Sequence, residues 1–160
     1  MAIEKFQGDY FFLSSMYSVK SGIELASGLI VPTVEHAYQA AKFYDPNAQE
    51  VILAARDGYK AKQIADGLEQ QGSPVKHGWG ETRVIVMTDL VDRKFRAGTR
   101  MANLLLATDN EYISEGNTRG DIFWGVDPPG SDVGLNMLGH ILMDQRSVLN
   151  TATAKSKKLS

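Results

Sequence analysis

The 160-residue chain contains no cysteine. Disulfide frameworks and thiolate metal sites are thereby excluded, and an origin in the reducing cytoplasm fits the absence. Charge of one sign is missing too: 17 Lys+Arg against 19 Asp+Glu leave a formal net charge of −2. The strongly basic face of a phosphate-backbone binder is therefore not expected, although a pocket for one small anion needs only a few cations. Long apolar runs are absent. Leu104-Leu105-Leu106-Ala107 is typical of the longest, far below the roughly 20 apolar residues of a spanning helix. Met1-Ala2-Ile3-Glu4-Lys5 lacks the charged-then-apolar layout of a signal peptide, so no membrane partner is expected. Histidine is scarce, and residues 36, 77 and 140 show no metal-ligand spacing with acids. There is no phosphate-cradling Gly-rich loop ending in Gly-Lys-Ser/Thr, no dinucleotide glycine fingerprint and no Gly-x-Ser-x-Gly elbow. Together these absences favour chemistry without a metal or cofactor.

What is present is an ordinary globular composition, with 43% hydrophobic and 22% charged residues. The length suits one domain able to bury a core without staples. No repeat or linker interrupts it. The reading is a single domain over residues 1–149, followed by a flexible tail, 150–160, rich in Thr, Ala, Lys and Ser.

The pattern predicts short strands at Tyr10–Leu13 and Leu29–Val31. Thr33 caps a helix over residues 34–44, which Asp45-Pro46 stops. Helical segments follow at 48–56, 60–70, 81–97 and 99–107, with Val84, Met87, Val91 and Phe95 recurring on one side. Tyr112–Glu115 and Ile122–Val126 read as strands, Asp127–Gly134 as a loop and Leu135–Val148 as the last helix. The sum is an α+β class: a helix-rich single domain with a small β-sheet.

Three segments have side chains suited to chemistry. On the helix at 34–43, Glu35, Gln39 and Lys42 fall at i, i+4 and i+7 and share a face, with Tyr38 at its edge. A carboxylate, an amide and an ammonium in one stripe can grip a polar ligand; the same stripe also describes an ordinary solvated face. His36 falls on a partly apolar face and reads as a core histidine. In Gly120-Asp121-Ile122-Phe123-Trp124-Gly125-Val126, an acid, an indole and flanking glycines suit the floor of a pocket, or equally a buried strand. In Gly134-Leu135-Asn136-Met137-Leu138-Gly139, a glycine before a helix start leaves N–H groups that suit a phosphate, or simple capping by Asn136. Arg83 and Lys94, three turns apart on one helix, can reach a phosphate or stand in solvent.

In order along the chain, these segments resemble the NADAR family, also called YbiA-like. Phe12-Leu13-Ser14-Ser15-Met16-Tyr17 resembles the family's N-terminal Phe-Leu-Ser-Asn-Phe-Tyr-Pro. Val34 through Phe43 matches the family's most recognisable motif throughout. Trp79, Arg83, Val86-Met87 and Lys94-Phe95 fit its middle helix. Leu105–Thr108, Glu115, Asp121–Val126, Gly134–Gly139, Leu142-Met143 and Arg146 complete the series, so the likeness covers residues 6 to 147. Three positions depart from the pattern: Ser15 where the family favours Asn, Met16 where it favours Phe, and Ser18 where it favours Pro.

The resemblance implies an N-glycosidase acting on a small phosphorylated ribosyl compound. Within the family the expected substrates are phosphoribosylamino-pyrimidine intermediates of riboflavin biosynthesis. Alternatives are ADP-ribose linked to guanine in nucleic acid and, without catalysis, binding of ADP-ribose or NAD. On this reading Glu35, with Asp121 second, is the carboxylate at the anomeric carbon, where an oxocarbenium-like state develops. Lys42 holds a ribose hydroxyl or phosphate, or forms an imine with the opened sugar. Trp79 or Trp124 stacks on the base, Gly134 and Asn136 orient the phosphate, and Ser14, Tyr38, Gln39 and Arg83 complete the binding set.

Overall fold

The structure, a computed structural model, describes residues 2–159. Along the chain run β1 (Ala2–Ile3), a 3₁₀ helix (Gly8–Leu13), β2 (Ile23–Glu24), β3 (Ile30–Val31), α1 (Val34–Ala41), α2 (Pro46–Leu53), α3 (Gly58–Gln70), α4 (Trp79–Lys94), α5 (Arg100–Leu106), β4 (Tyr112–Ile113) and α6 (Met137–Leu159). The fold is helix-rich, and among the described residues its strands form two small separate sheets, β1 with β4 in parallel and β2 with β3 antiparallel. Contacts divide the chain into a unit of residues 1–14 and 95–160 and a unit of residues 15–94. Among the described residues, no helix is long and apolar enough to cross a membrane.

In the unit of residues 15–94, α1 packs against α2, α3 and α4. Side-chain caps set where these helices begin. Thr33 accepts from the His36 N–H, Asp45 from Asn47 ahead of Pro46 in the first turn, and Asp57 from Lys60. Phe43 and Ile52, both wholly buried, pack with Ala40, Ala48, Ala61 and Ala65. Alanines on the facing helices let α1, α2 and α3 approach closely, while each large side chain contributes roughly 1.5–3 kcal/mol on burial. Every residue from Val34 to Ala40 is buried, so α1 is the central rod of its unit.

In the other unit, α6 packs against α5 and β4, and the 3₁₀ helix against α5. Leu13, Phe95, Leu105, Ile113 and Leu142 are its largest fully buried apolar side chains, and the rings of Phe12 and Phe95 meet edge-on at 6.5 Å. Gly139 on α6 faces the Ile113 carbonyl and the Asn136 amide where a Cβ would stand, so only glycine admits that approach.

Three segments differ from the sequence reading. Tyr10–Leu13 is the end of a 3₁₀ helix rather than a strand: Tyr10 N–H donates to Gln7 and Ser14 N–H to Phe11, local bonds that take the place of a ladder. Ile122–Val126 is not a strand, because Asp121 Oδ1 accepts from the N–H groups of Phe123 and Trp124 and bends the chain there. Residues 150–159, read as part of a loose tail, continue α6 with every side chain exposed. Their Ala and Lys residues carry no helix breaker. Ser160, the end of that expected tail, lies outside the described residues, as does Met1.

Candidate active site

Glu35 and Gln39 form the best-defined polar cluster. Both stand on the buried rod α1, at 6% and 5% exposure, which removes the solvated-face reading of their stripe. Burial of a carboxylate demands partners, and each oxygen of Glu35 has one. Ser15 Oγ donates to Oε2 at 2.8 Å, and Gln39 Nε2 donates to Oε1 at 2.7 Å. The backbone strengthens the first link, since the Glu35 N–H donates to the Ser15 carbonyl at 3.0 Å. Gly58, at the start of α3, backs the cluster. A methyl there would sit 2.9 Å from Met16 Sδ and 3.3 Å from Glu35 Cβ.

The Gln39 amide is only half used. Its nitrogen must face the carboxylate, because the reverse orientation would oppose two oxygens. Its Oε1 is then buried with no hydrogen-bond partner, a situation that costs roughly 1–3 kcal/mol and that native interiors avoid outside functional places.

Next on the helix, Tyr38 is buried and tilts against Trp79, ring centroids 5.3 Å apart. Lys42 ends α1. Its Nζ donates to Glu69 Oε2 at 2.6 Å and lies 5.9 Å from the Phe43 ring. Arg83, on α4, is half-buried. Lys94 is buried, its Nζ 5.5 Å from the Tyr17 ring. His36 has no exposure. Its Nε2 meets the Ala55 carbonyl at 2.8 Å and its Nδ1 meets Thr33 Oγ1 at 2.7 Å. The carbonyl can only accept, so Nε2 carries the hydrogen and the ring braces α1.

Ser14, Asp121, Trp124, Gly134 and Asn136 belong to the other unit. Asp121 holds its own loop: besides the two N–H groups on its Oδ1, its carbonyl accepts from Asn117 Nδ2 at 2.8 Å. Trp124 packs edge-on to Phe123, centroids 4.8 Å apart. The expected phosphate cradle at Gly134 and Asn136 is otherwise occupied. The N–H groups of Leu135, Asn136, Met137 and Leu138 donate to the carbonyls of Ile122, Gly125, Phe123 and Trp124, which takes up the free ends of the helix start. Asn136, 2% exposed, accepts from Glu115 N–H and donates to the Ile113 carbonyl. These bonds knit β4 to the start of α6.

The structure therefore brings Glu35 and Gln39 together and pairs Tyr38 with Trp79. It adds two residues that the sequence reading left outside the candidate set: Ser15, donor to Glu35, and Glu69, partner of Lys42. Ser15 had a signal, because it is one of the departures from the family motif. Glu69 had none. Among the described residues, no group of three or more His, Cys, Asp or Glu is arranged to hold a metal ion.

A family model described as the NADAR domain matches residues 4–150, and the chain belongs to this family. It is 37% identical over 138 residues to riboflavin biosynthesis protein VVA0006 of Vibrio vulnificus, a match covering 86% of this chain and 35% of that protein. It therefore spans about a third of that relative's length. It is 31% identical over 118 residues to N-glycosidase YbiA of Escherichia coli (strain K12), covering 74% of this chain and 70% of that one. The NMR structure of the E. coli protein YbiA superposes with a TM-score of 0.79 at 27% identity, over 96% of this chain and 86% of that chain.

Proposed function

We propose that the chain is an N-glycosidase that hydrolyses the N-ribosyl bond of phosphoribosylamino-pyrimidine intermediates of riboflavin biosynthesis. The names of its relatives support the bond type and the pathway. The observation that carries the reading is the Glu35 carboxylate, buried on the family's central motif with a donor fixed on each oxygen. A carboxylate so held has a set direction and little freedom to turn away from a developing charge.

In this reaction Glu35 takes a proton from water as the water oxygen bonds to the anomeric carbon. The carbon–nitrogen bond breaks, its electron pair stays on nitrogen, and a proton reaches the leaving amine. The products are ribose 5-phosphate and the free aminopyrimidine. Glu35 also stabilises the oxocarbenium-like state between these events. Tyr38 and Trp79 offer a ring surface for the base. Lys42 serves the sugar or phosphate once its bond to Glu69 exchanges, and Arg83 adds a second cation for the phosphate.

The test is direct. The protein is incubated separately with 5-amino-6-(5-phosphoribosylamino)uracil, ADP-ribosylated guanosine and NAD, and free base is followed by chromatography. Release from the first alone is the expected result. Release only from ADP-ribosylated guanosine would move the substrate to nucleic-acid repair, and binding without release from any would make the domain a sensor.

A further inference from the structure

Gln39 has one amide end committed and the other vacant, in a place where vacancy is expensive. Nε2 is locked to Glu35 at 2.7 Å. Oε1, on a residue 5% exposed, has no donor. A buried oxygen without a protein donor is a place that a donor arriving with a ligand can fill once the side chains over it move. The matching group must be an O–H or N–H. A phosphate or ring oxygen, which only accepts, would leave the vacancy unfilled.

We infer that Gln39 is a specificity-determining residue whose Oε1 accepts the 2-hydroxyl of the substrate ribose. The inference rests on the reading of Glu35 as the carboxylate at the anomeric carbon. The two atoms of an amide stand about 2.3 Å apart, so Gln39 Oε1 lies within about 5 Å of the carboxylate oxygen that its nitrogen holds. With Glu35 at the anomeric carbon, the donor nearest that spot is the hydroxyl on the neighbouring carbon. In a β-ribosyl compound this hydroxyl stands on the face opposite the departing base, the face from which water must attack. One helix turn thus supplies both groups of that face: Glu35 for the reacting carbon and Gln39 for the carbon beside it. The hydroxyl also ties recognition to reactivity, because Gln39 holds sugar and carboxylate through the same amide.

The experiment compares kcat/KM for 5-amino-6-(5-phosphoribosylamino)uracil and its 2-deoxyribosyl counterpart in the wild type, Gln39→Met and Gln39→Glu. The intrinsic lability of the deoxy sugar cancels when the substrate ratio is compared between proteins. Gln39→Met is expected to shift that ratio towards the deoxy substrate by at least about tenfold, since it removes the acceptor. Gln39→Glu keeps an acceptor oxygen, so it retains most of the wild-type ratio while lowering kcat for both substrates. An unchanged ratio in Gln39→Met overturns the inference. A second measurement needs no turnover. In the ¹⁵N-labelled full chain, the Gln39 side-chain NH₂ resonances should move on adding ribose 5-phosphate and stay in place with 2-deoxyribose 5-phosphate. Equal response to both sugars, or to neither, overturns the inference. Failure of the wild type to cleave either substrate overturns the hydrolase reading instead and leaves the NMR comparison to decide the role of Gln39.

Discussion

Ser15 meets Glu35 twice: its hydroxyl donates to the carboxylate Oε2 at 2.8 Å, and its carbonyl accepts the Glu35 N–H at 3.0 Å. A residue twenty positions upstream thus fixes both the backbone and the side chain of the candidate catalytic carboxylate. Ser15→Ala should keep the backbone bond and lose the other, lowering kcat by on the order of tenfold with little change in KM. Ser15→Asn, which restores the family's usual residue, presents an amide donor and should recover most of that loss. Steady-state kinetics on the three proteins measures it, and Ser15→Ala at wild-type kcat would show that the hydroxyl does not position Glu35.

Glu35→Gln should reduce turnover by roughly 10²–10⁴-fold, the range of positioned acid–base catalysis. The fold should survive, because an amide fills the same volume. Its oxygen can accept from Gln39 Nε2 while its NH₂ donates to Ser15 Oγ, which then acts as the acceptor, so only a small change in melting temperature is expected. Product release assayed beside a circular-dichroism melt separates the two effects, and near-full activity in a folded Glu35→Gln protein would exclude Glu35 from catalysis.

The helix positions were legible because their signals are local. Thr33 acts within three residues of itself and marks a helix start in the sequence as it does in the structure. Asp45-Pro46, read as the stop of one helix, also caps the start of the next, and Thr99, read as helical, caps α5. The shared face of Glu35 and Gln39 follows from helical spacing alone. Its burial does not, since that depends on α2, α3 and α4 packing around α1. The Glu69 contact with Lys42 bridges residues 27 apart and left no trace in spacing. Ile122–Val126 misled for the opposite reason. Its aromatic, β-branched composition suits a strand, yet Asp121 turns it and its carbonyls serve the start of α6. The same bonds engage the N–H groups of residues 135–138, which in one dimension look free for an anion.

His36 lies one residue from Glu35 and provides a contrast. Its ring spans Thr33 and the Ala55 carbonyl and faces no vacancy. His36→Leu should therefore destabilise the fold by about 2–3 kcal/mol, from two lost hydrogen bonds and an orphaned carbonyl, while kcat per folded molecule stays within about twofold. Urea unfolding paired with active-site-normalised kinetics checks this. A large loss of kcat in folded His36→Leu would give the histidine a chemical role.

Arg146 performs the equivalent bracing in the other unit. It is 8% exposed and its Nη1 donates to Thr108 Oγ1 at 2.8 Å and to the Glu111 carbonyl at 2.9 Å, clasping the α5–β4 turn to α6. Burial lowers its pKa, and Asp109 and Glu111 oppose that shift. Arg146→Met should cost about 2–4 kcal/mol, since it strands two polar partners of a charged donor. Arg146→Lys, with a single point charge, should recover part of it. Denaturant midpoints for the three proteins test the order, and a neutral Arg146→Met would show that the clasp adds nothing.

Asp92, an exposed residue on α4, has its carboxyl pushed above the usual 3.8, first by the partial desolvation its neighbours impose and second by repulsion from Asp89 one turn away. A carboxyl with a higher pKa in the folded state than in the unfolded chain penalises folding when ionised. The penalty is complete above the folded-state pKa, shrinks as pH falls through it, and is gone below the unfolded value of 3.8. Asp92→Asn removes the ionisation. It should therefore melt slightly higher than wild type at neutral pH, and the difference should close as pH is lowered past 3.8. Low ionic strength should enlarge the gap, because salt screens the Asp89 contribution. Calorimetric melts of both proteins across this range provide the check; an Asp92→Asn melting temperature below wild type at neutral pH would mean that the charge is compensated by a favourable partner in the folded state.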